Sequence, residues 1–241
     1  MKKPFYLMFL CSLVLMGCKN VPRIFDVMDG PGMVNEKFTS LDKIESDWMT
    51  AEIPVDNGDL HPSVINLLTA FNDRFPSFVA DSLLRKVNEP SFEGEYYADD
   101  GTGTIQHFPS KDYILFSTET DAESMEACVM HRDNGHSLFV LEMYKPTDPA
   151  VDFYAFYDYD PQTSTLKPEQ EPWTKVSPVM EGNTLIPSLN LFDGVFAMGE
   201  FEPNDTLMEN PIYCHTFEFD GQDIIYTGYQ ANIPEDEDSE E

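Results

Sequence analysis

Positive charge is scarce in this chain. There are 14 Lys and Arg against 44 Asp and Glu, giving a formal net charge of −30 at pH 7. That balance excludes nucleic acid as a partner, because phosphate binding needs a cationic footprint. It also disfavours docking on an anionic membrane surface. The field favours cationic partners or divalent ions. Cysteine is sparse as well, with four residues in 241, and neither a CxxC pair nor a Cys/His zinc spacing occurs. No serine lies in a G-x-S-x-G context, which removes the strand-turn-helix nucleophile of one large hydrolase class. Beyond residue 17, no apolar run approaches the roughly 20 residues with which a helix crosses a bilayer.

What is present begins at the first residues. Lys2 and Lys3 precede an apolar run from Phe5 to Met16, interrupted only by Ser12. The run has the length of a signal-peptide core and is too short to span. It ends in Leu15-Met16-Gly17-Cys18, which resembles the lipobox of bacterial lipoproteins. The resemblance implies cleavage after residue 17 and acylation of Cys18, palmitate among the chains. Stable anchoring would follow, each buried CH₂ contributing about 0.8 kcal/mol. The expectation is a cell-envelope protein held by lipid, at the outer membrane. Loss of Lys2 and Lys3 would make the remainder more acidic still.

Acidity here does not imply disorder. The chain is 41% apolar, with 18 Phe and 11 Tyr, enough to bury a core. Residues 18–35, with Pro22, Gly30, Pro31 and Gly32, read as a tether. Thr39 and Asp42 form a weak helix start, followed by Leu41, Ile44 and Trp48 at helical spacing. Val64, Leu67, Leu68 and Phe71 repeat at i, i+3, i+4, i+7, with Pro62 suited to a first turn. Phe78, Val79, Leu83 and Leu84 continue the period after Pro76. Two short helices are expected at Ser63–Arg74 and Ser77–Val87, each with one apolar stripe to bury.

From Tyr96 onward the pattern is that of strands. They are expected at Thr104–Phe108, Tyr113–Thr118, Met125–Arg132, His136–Tyr144, Val151–Tyr159, Val195–Phe201, Ile212–Phe219 and Asp223–Tyr229. Asp133-Asn134-Gly135 and Asp220-Gly221 are hairpin signals. Tight turns imply antiparallel pairing. The fold class expected is α+β and mainly β: an antiparallel meander, as a curved sheet, small barrel or sandwich, with two short N-terminal helices packed on it. One domain would span 36–230, and 231–241, ending EDEDSEE, would be an acidic disordered tail.

The block ACVMHRDNGHSLFVLEMY, followed by FYDYDPQTSTLKPE, resembles lipoproteins of the Bacteroidetes type. The likeness covers Ala127–Glu169. It implies an envelope setting and carries no activity.

Candidate sites follow from chemistry and spacing. His131, Asp133 and His136 converge on one face if Asn134-Gly135 is a two-residue turn, and would then offer imidazole and carboxylate to a transition metal. If the turn has three residues with Gly135 left-handed, the two histidines fall on opposite faces. No cofactor is otherwise expected. Asp158 and Asp160, and Asp99-Asp100-Gly101, look like the opening of calcium loops but lack the distal ligands and read as turns. Tyr154, Tyr157, Tyr159 and Trp173 are either core or an aromatic platform for a sugar or a protein. Cys128 and Cys214 are either a disulfide or two buried thiols, since an oxidising compartment permits the bond without showing that it forms. The function expected is a non-enzymatic binding module for a protein or glycan. The competing class is an envelope hydrolase with its residues scattered in sequence.

Overall fold

In the central strand of the large sheet, Ser137–Lys145, the four consecutive residues Leu138, Phe139, Val140 and Leu141 are all buried. A strand with one wet face alternates; one covered on both faces does not. Leu138 and Val140 join a core with a second sheet. Phe139, on the opposite face, meets the ring of Phe71 at 6.4 Å. This covering of both faces sets the layout of the molecule.

The computed structural model describes residues 48–56, 61–76, 78–87, 94–97, 103–118, 124–145, 151–203, 205 and 210–232. The strands are β1 (Ile53–Pro54), β2 (Gly94–Tyr97), β3 (Gly103–Phe108), β4 (Tyr113–Thr118), β5 (Ser124–His131), β6 (Ser137–Lys145), β7 (Val151–Asp160) and β8 (Thr165–Glu169) in one sheet, and β9 (Thr184–Asn190), β10 (Val195–Phe201), β11 (Tyr213–Phe219) and β12 (Ile224–Ala231) in another. The first has the order β1-β8-β7-β6-β5-β4-β3-β2 and the second β12-β11-β10-β9. Every pairing is antiparallel. The fold is therefore mainly β and antiparallel, and neither sheet closes into a barrel. The signal segment, Cys18, the tether, the Thr39/Asp42 helix start and the acidic tail from residue 233 lie outside the described residues, as does Asp99-Asp100-Gly101.

Helix α1 (Val64–Arg74) starts on a reciprocal cap. Ser63 Oγ accepts from the Asn66 amide, and the Ser63 amide donates to Asn66 Oδ1 at 3.1 Å. Two orphan donors of the first turn are thereby satisfied. Because Ser63 is the cap, Pro62 stands one residue before the cap rather than in the first turn. Val64, Leu67, Leu68 and Phe71 are buried. Helix α2 (Phe78–Val87) follows.

The second core lies between the sheets. Tyr113, Cys128, Leu138, Val140, Tyr154 and Phe156 from the large sheet meet Phe196, Met198 and Phe217 from the small one and Leu191 from its β9–β10 turn. Trp173 belongs to a 3-10 turn at Pro172–Lys175 and bridges them, its ring 5.3 Å from Tyr154 and 5.4 Å from Phe156. These edge-on contacts hold Tyr154 and Phe156 on one face of β7, while Phe153 and Tyr157 on its other face meet Trp48.

Candidate functional site

The hairpin between β5 and β6 turns through three residues. The Arg132 amide donates to the His136 carbonyl at 2.9 Å, the Gly135 amide to the Arg132 carbonyl at 3.0 Å, and Gly135 has φ +86°. His131 stands opposite Ser137. The metal grouping of His131, Asp133 and His136 does not form. His131 bonds Ser137 Oγ at 3.0 Å and Asp112 Oδ2 at 3.1 Å. His136 instead bonds Asp158 Oδ2 at 2.8 Å, on the other side of the strand. One extra turn residue separates the imidazoles, and no metal-binding group occurs among the described residues. Asp158 and Asp160 do not open a calcium loop either. Asp158 is committed to Arg132 and His136. Asp160 accepts from the Gln162 amide at 2.9 Å and lies 3.5 Å from Lys167 Nζ.

Tyr157 and Tyr159 are fully buried, and Tyr154 and Trp173 nearly so. They are core, not a surface platform, because β7 is covered on both faces. The Tyr157 hydroxyl donates to the Trp48 carbonyl at 2.9 Å. Cys128 and Cys214 are free thiols. Cys128 points into the core between the sheets, where burial and the charges of Glu126 and Asp112 push its thiol up. Cys214 precedes His215 on β11. His215 and Phe217 are buried while Thr216 and Glu218 are exposed, so Cys214 faces outward.

The hairpin tip instead carries a buried cation. Arg132 donates in bidentate fashion to Glu169 at 2.8 and 2.7 Å, to Asp158, and to Asp223 at 3.3 Å. Burial would lower its pKa, but its bonds and charge pairing with Glu169 and Asp158 raise it. A planar guanidinium suits this paired geometry. The tip also reaches the β11–β12 turn, where the Asp133 amide donates to the Gly221 carbonyl at 2.8 Å. Gly221 has φ +93°, and a Cβ there would stand 2.9 Å from Asp133 Oδ2.

Beside Arg132 opens a cleft of about 480 Å³, bounded by Glu169, Glu171, Lys175 and Val176 on one side and by Asp223 to Tyr226 on the other. Burial raises the pKa of Glu171, against the opposing bond from Trp173. Tyr226 and Tyr229 are 44% and 54% exposed. They project on the same side of β12 although three positions apart, because the register shifts between Thr216 and Phe217: Phe217 pairs with Tyr226 and Thr216 with Gly228, leaving Thr227 over. A bulge of this kind re-aims side chains. Both rings pack against His215, at 5.9 and 5.7 Å.

Behind Tyr226 lies a polar chain. Its hydroxyl is 3.1 Å from His215 Nδ1, and His215 Nε2 is 2.9 Å from Glu200 Oε2. Glu200 and His215 are completely buried. Glu200 also accepts from the Val179 and Met180 amides and from Asn183 Nδ2 at 2.7 Å. Burial alone would raise its pKa, but these four bonds hold it below the usual carboxylate range. Sequence reasoning missed Arg132, Glu171, Glu200 and Tyr226. The usable signal was the shortage of cations: an arginine at an apolar hairpin, in so acidic a chain, has carboxylates to choose among. Comparison with protein-family models, curated proteins and solved structures finds no match.

Proposed function

We propose that this chain is a lipid-anchored protein of the cell envelope, attached at the outer membrane through Cys18, whose β domain binds a ligand without transforming it. The anchor rests on the basic start, the apolar run and Leu15-Met16-Gly17-Cys18. The binding role rests on one observation: two half-exposed tyrosines stand on β12, Tyr226 lining a cleft, whereas most other rings among the described residues pack the cores. Aromatic side chains with a polar end serve such surfaces. The Glu200–His215–Tyr226 chain has the carboxylate–imidazole–hydroxyl order of a hydrolase triad. Its terminal group, however, is a phenol whose pKa is raised by burial and by the neighbouring Tyr229 and Glu200. That disfavours a nucleophile and favours a contact group.

Hydroxyl-radical footprinting tests this reading. Tyr226, Tyr229 and Ile225 should oxidise readily in the purified protein and be protected in intact envelopes, where the ligand is present. Equal oxidation in both settings would sink it.

A further inference from the structure

The cleft beside Arg132 runs along the open edge of β12. Ile224, Ile225 and Tyr226 all line it, although successive side chains of a strand point to opposite faces. A cavity touches three consecutive residues only from the strand's edge. The other edge is taken by β11, and among the described residues no further strand pairs with β12. The ladder fixes which backbone groups face outward. At one end of the hairpin the Asp220 amide donates to the Asp223 carbonyl at 3.1 Å, and at the other the Asn232 amide donates to the Ile212 carbonyl at 2.9 Å. Bonded and non-bonded pairs alternate in an antiparallel ladder. Counted inward from the two ends, Ile224 and Tyr226, and Ala231 and Tyr229, turn their amides and carbonyls away from β11. The two counts are out of step by one residue, the one that the bulge inserts.

An edge of this kind offers donors and acceptors in alternation, which a second extended backbone matches group for group. The side chains around the cleft are mixed in the same way. Gln170, Thr174 and Lys175 can donate, and Glu169, Glu171 and Asp223 accept. Charge selects the partner. After Lys175 the chain contains no lysine or arginine, and shortly past β12 it reads Glu235-Asp236-Glu237-Asp238. A second copy of so acidic a chain is repelled, whereas a segment carrying Lys or Arg is drawn in. β12 itself bears no charge to oppose it. Tyr226 and Tyr229 stand exposed along the strand, as rings on which such cations can rest.

We propose that β12 is a docking edge: an extended, basic segment of a partner protein adds to the four-stranded small sheet as a further strand, entering the cleft between β12 and the Pro172–Lys175 turn. This rests on the binding role proposed above and makes its ligand a peptide segment rather than a glycan.

Calorimetry and amide hydrogen exchange test this with a library of capped octapeptides, Lys or Arg alternating with Val, Thr or Tyr, and a second library with Glu in place of the cations. At least one basic peptide should bind, and its Glu counterpart should not. N-methylation of the bound peptide in one alternate frame should weaken it about tenfold by removing ladder bonds, and in the other frame should leave it unchanged. Exchange should slow at Ile224, Tyr226, Tyr229 and Ala231 and stay as it was at Ile225 and Gln230, whose amides already face β11. A peptide indifferent to N-methylation in both frames overturns the inference while the binding role stands, as does a Glu library that binds as well as the basic one. If the four amides are already slow in the free protein, the edge is covered by this chain itself, or by a second copy where dilution releases them, and the partner inference falls. If no peptide binds, it falls also, and footprinting decides the binding role separately.

Discussion

A guanidinium taken out of water needs counter-charges, and Arg132 has three within reach. Removing one member of a buried ion group leaves the others uncompensated, at a cost of about 3–5 kcal/mol. Arg132→Ala is therefore expected to lower the unfolding free energy measured in urea by that amount, because Asp158 and Glu169 would face each other without their cation. Arg132→Lys should recover only part of the loss, since an ammonium cannot fork onto Glu169. A midpoint unchanged by Arg132→Ala would show that the pairing contributes nothing net. At this scale little of the site was legible. The separation of His131 from His136 turned on a single residue of turn length. The burial of Tyr154 turned on a second sheet that local sequence does not announce, and that of Tyr157 on Trp48 and Phe71 covering the opposite face: an aromatic strand reads the same whether its outer face meets water or Phe196 and Met198.

Hairpins carry the architecture, and their signals were the clearest in the sequence. Asp133-Asn134-Gly135 does close β5 onto β6, and Asp220-Gly221 closes β11 onto β12. Gly135 matters because its φ of +86° is costly for any residue with a Cβ; its surroundings are open, with nothing within 4 Å of an added methyl. Gly135→Ala should thus cost about 1–2 kcal/mol through the backbone alone, and thermal melting would show it. No loss of stability would mean that the turn relaxes to another type. β9 escaped sequence reading because Pro187 sits in its middle, and proline argues against a central strand. The structure reconciles the two: β9 is the edge of its sheet, paired only with β10. Similarly, Pro54 ends the two-residue edge strand β1.

Across the whole molecule, the mainly β, antiparallel character was readable from turn chemistry and strand spacing. The split into two sheets was not, because consecutive hairpins look alike whether they extend one sheet or begin another. The carboxylates held by hydrogen bonds have a consequence for stability. Glu200 has a depressed folded pKa, so its contribution is complete above its ordinary value of 4.5 and is lost as pH falls through the folded value. Asp160 and Asp220, lowered chiefly by turn amides, act in the same direction. Glu171, raised by burial, acts weakly in the opposite one. Urea midpoints measured from pH 7 to pH 3 should fall below about pH 4.5, and Glu200→Gln, less stable at pH 7, should show a shallower fall. Identical slopes for both proteins would contradict the assignment. The edges of the two sheets differ in how they are guarded. β1 and β2 are short and β9 holds a proline, whereas β12 runs eight residues, IIYTGYQA, with no charge and no proline. Such a segment is a template for intermolecular strand addition. The strand that presents Tyr226 is thus also the main aggregation liability among the described strands, with one bulge and the repulsion of like-charged neighbours as its safeguards. Protonating the carboxylates removes the second safeguard, so acid would convert this edge into a seed for fibrils.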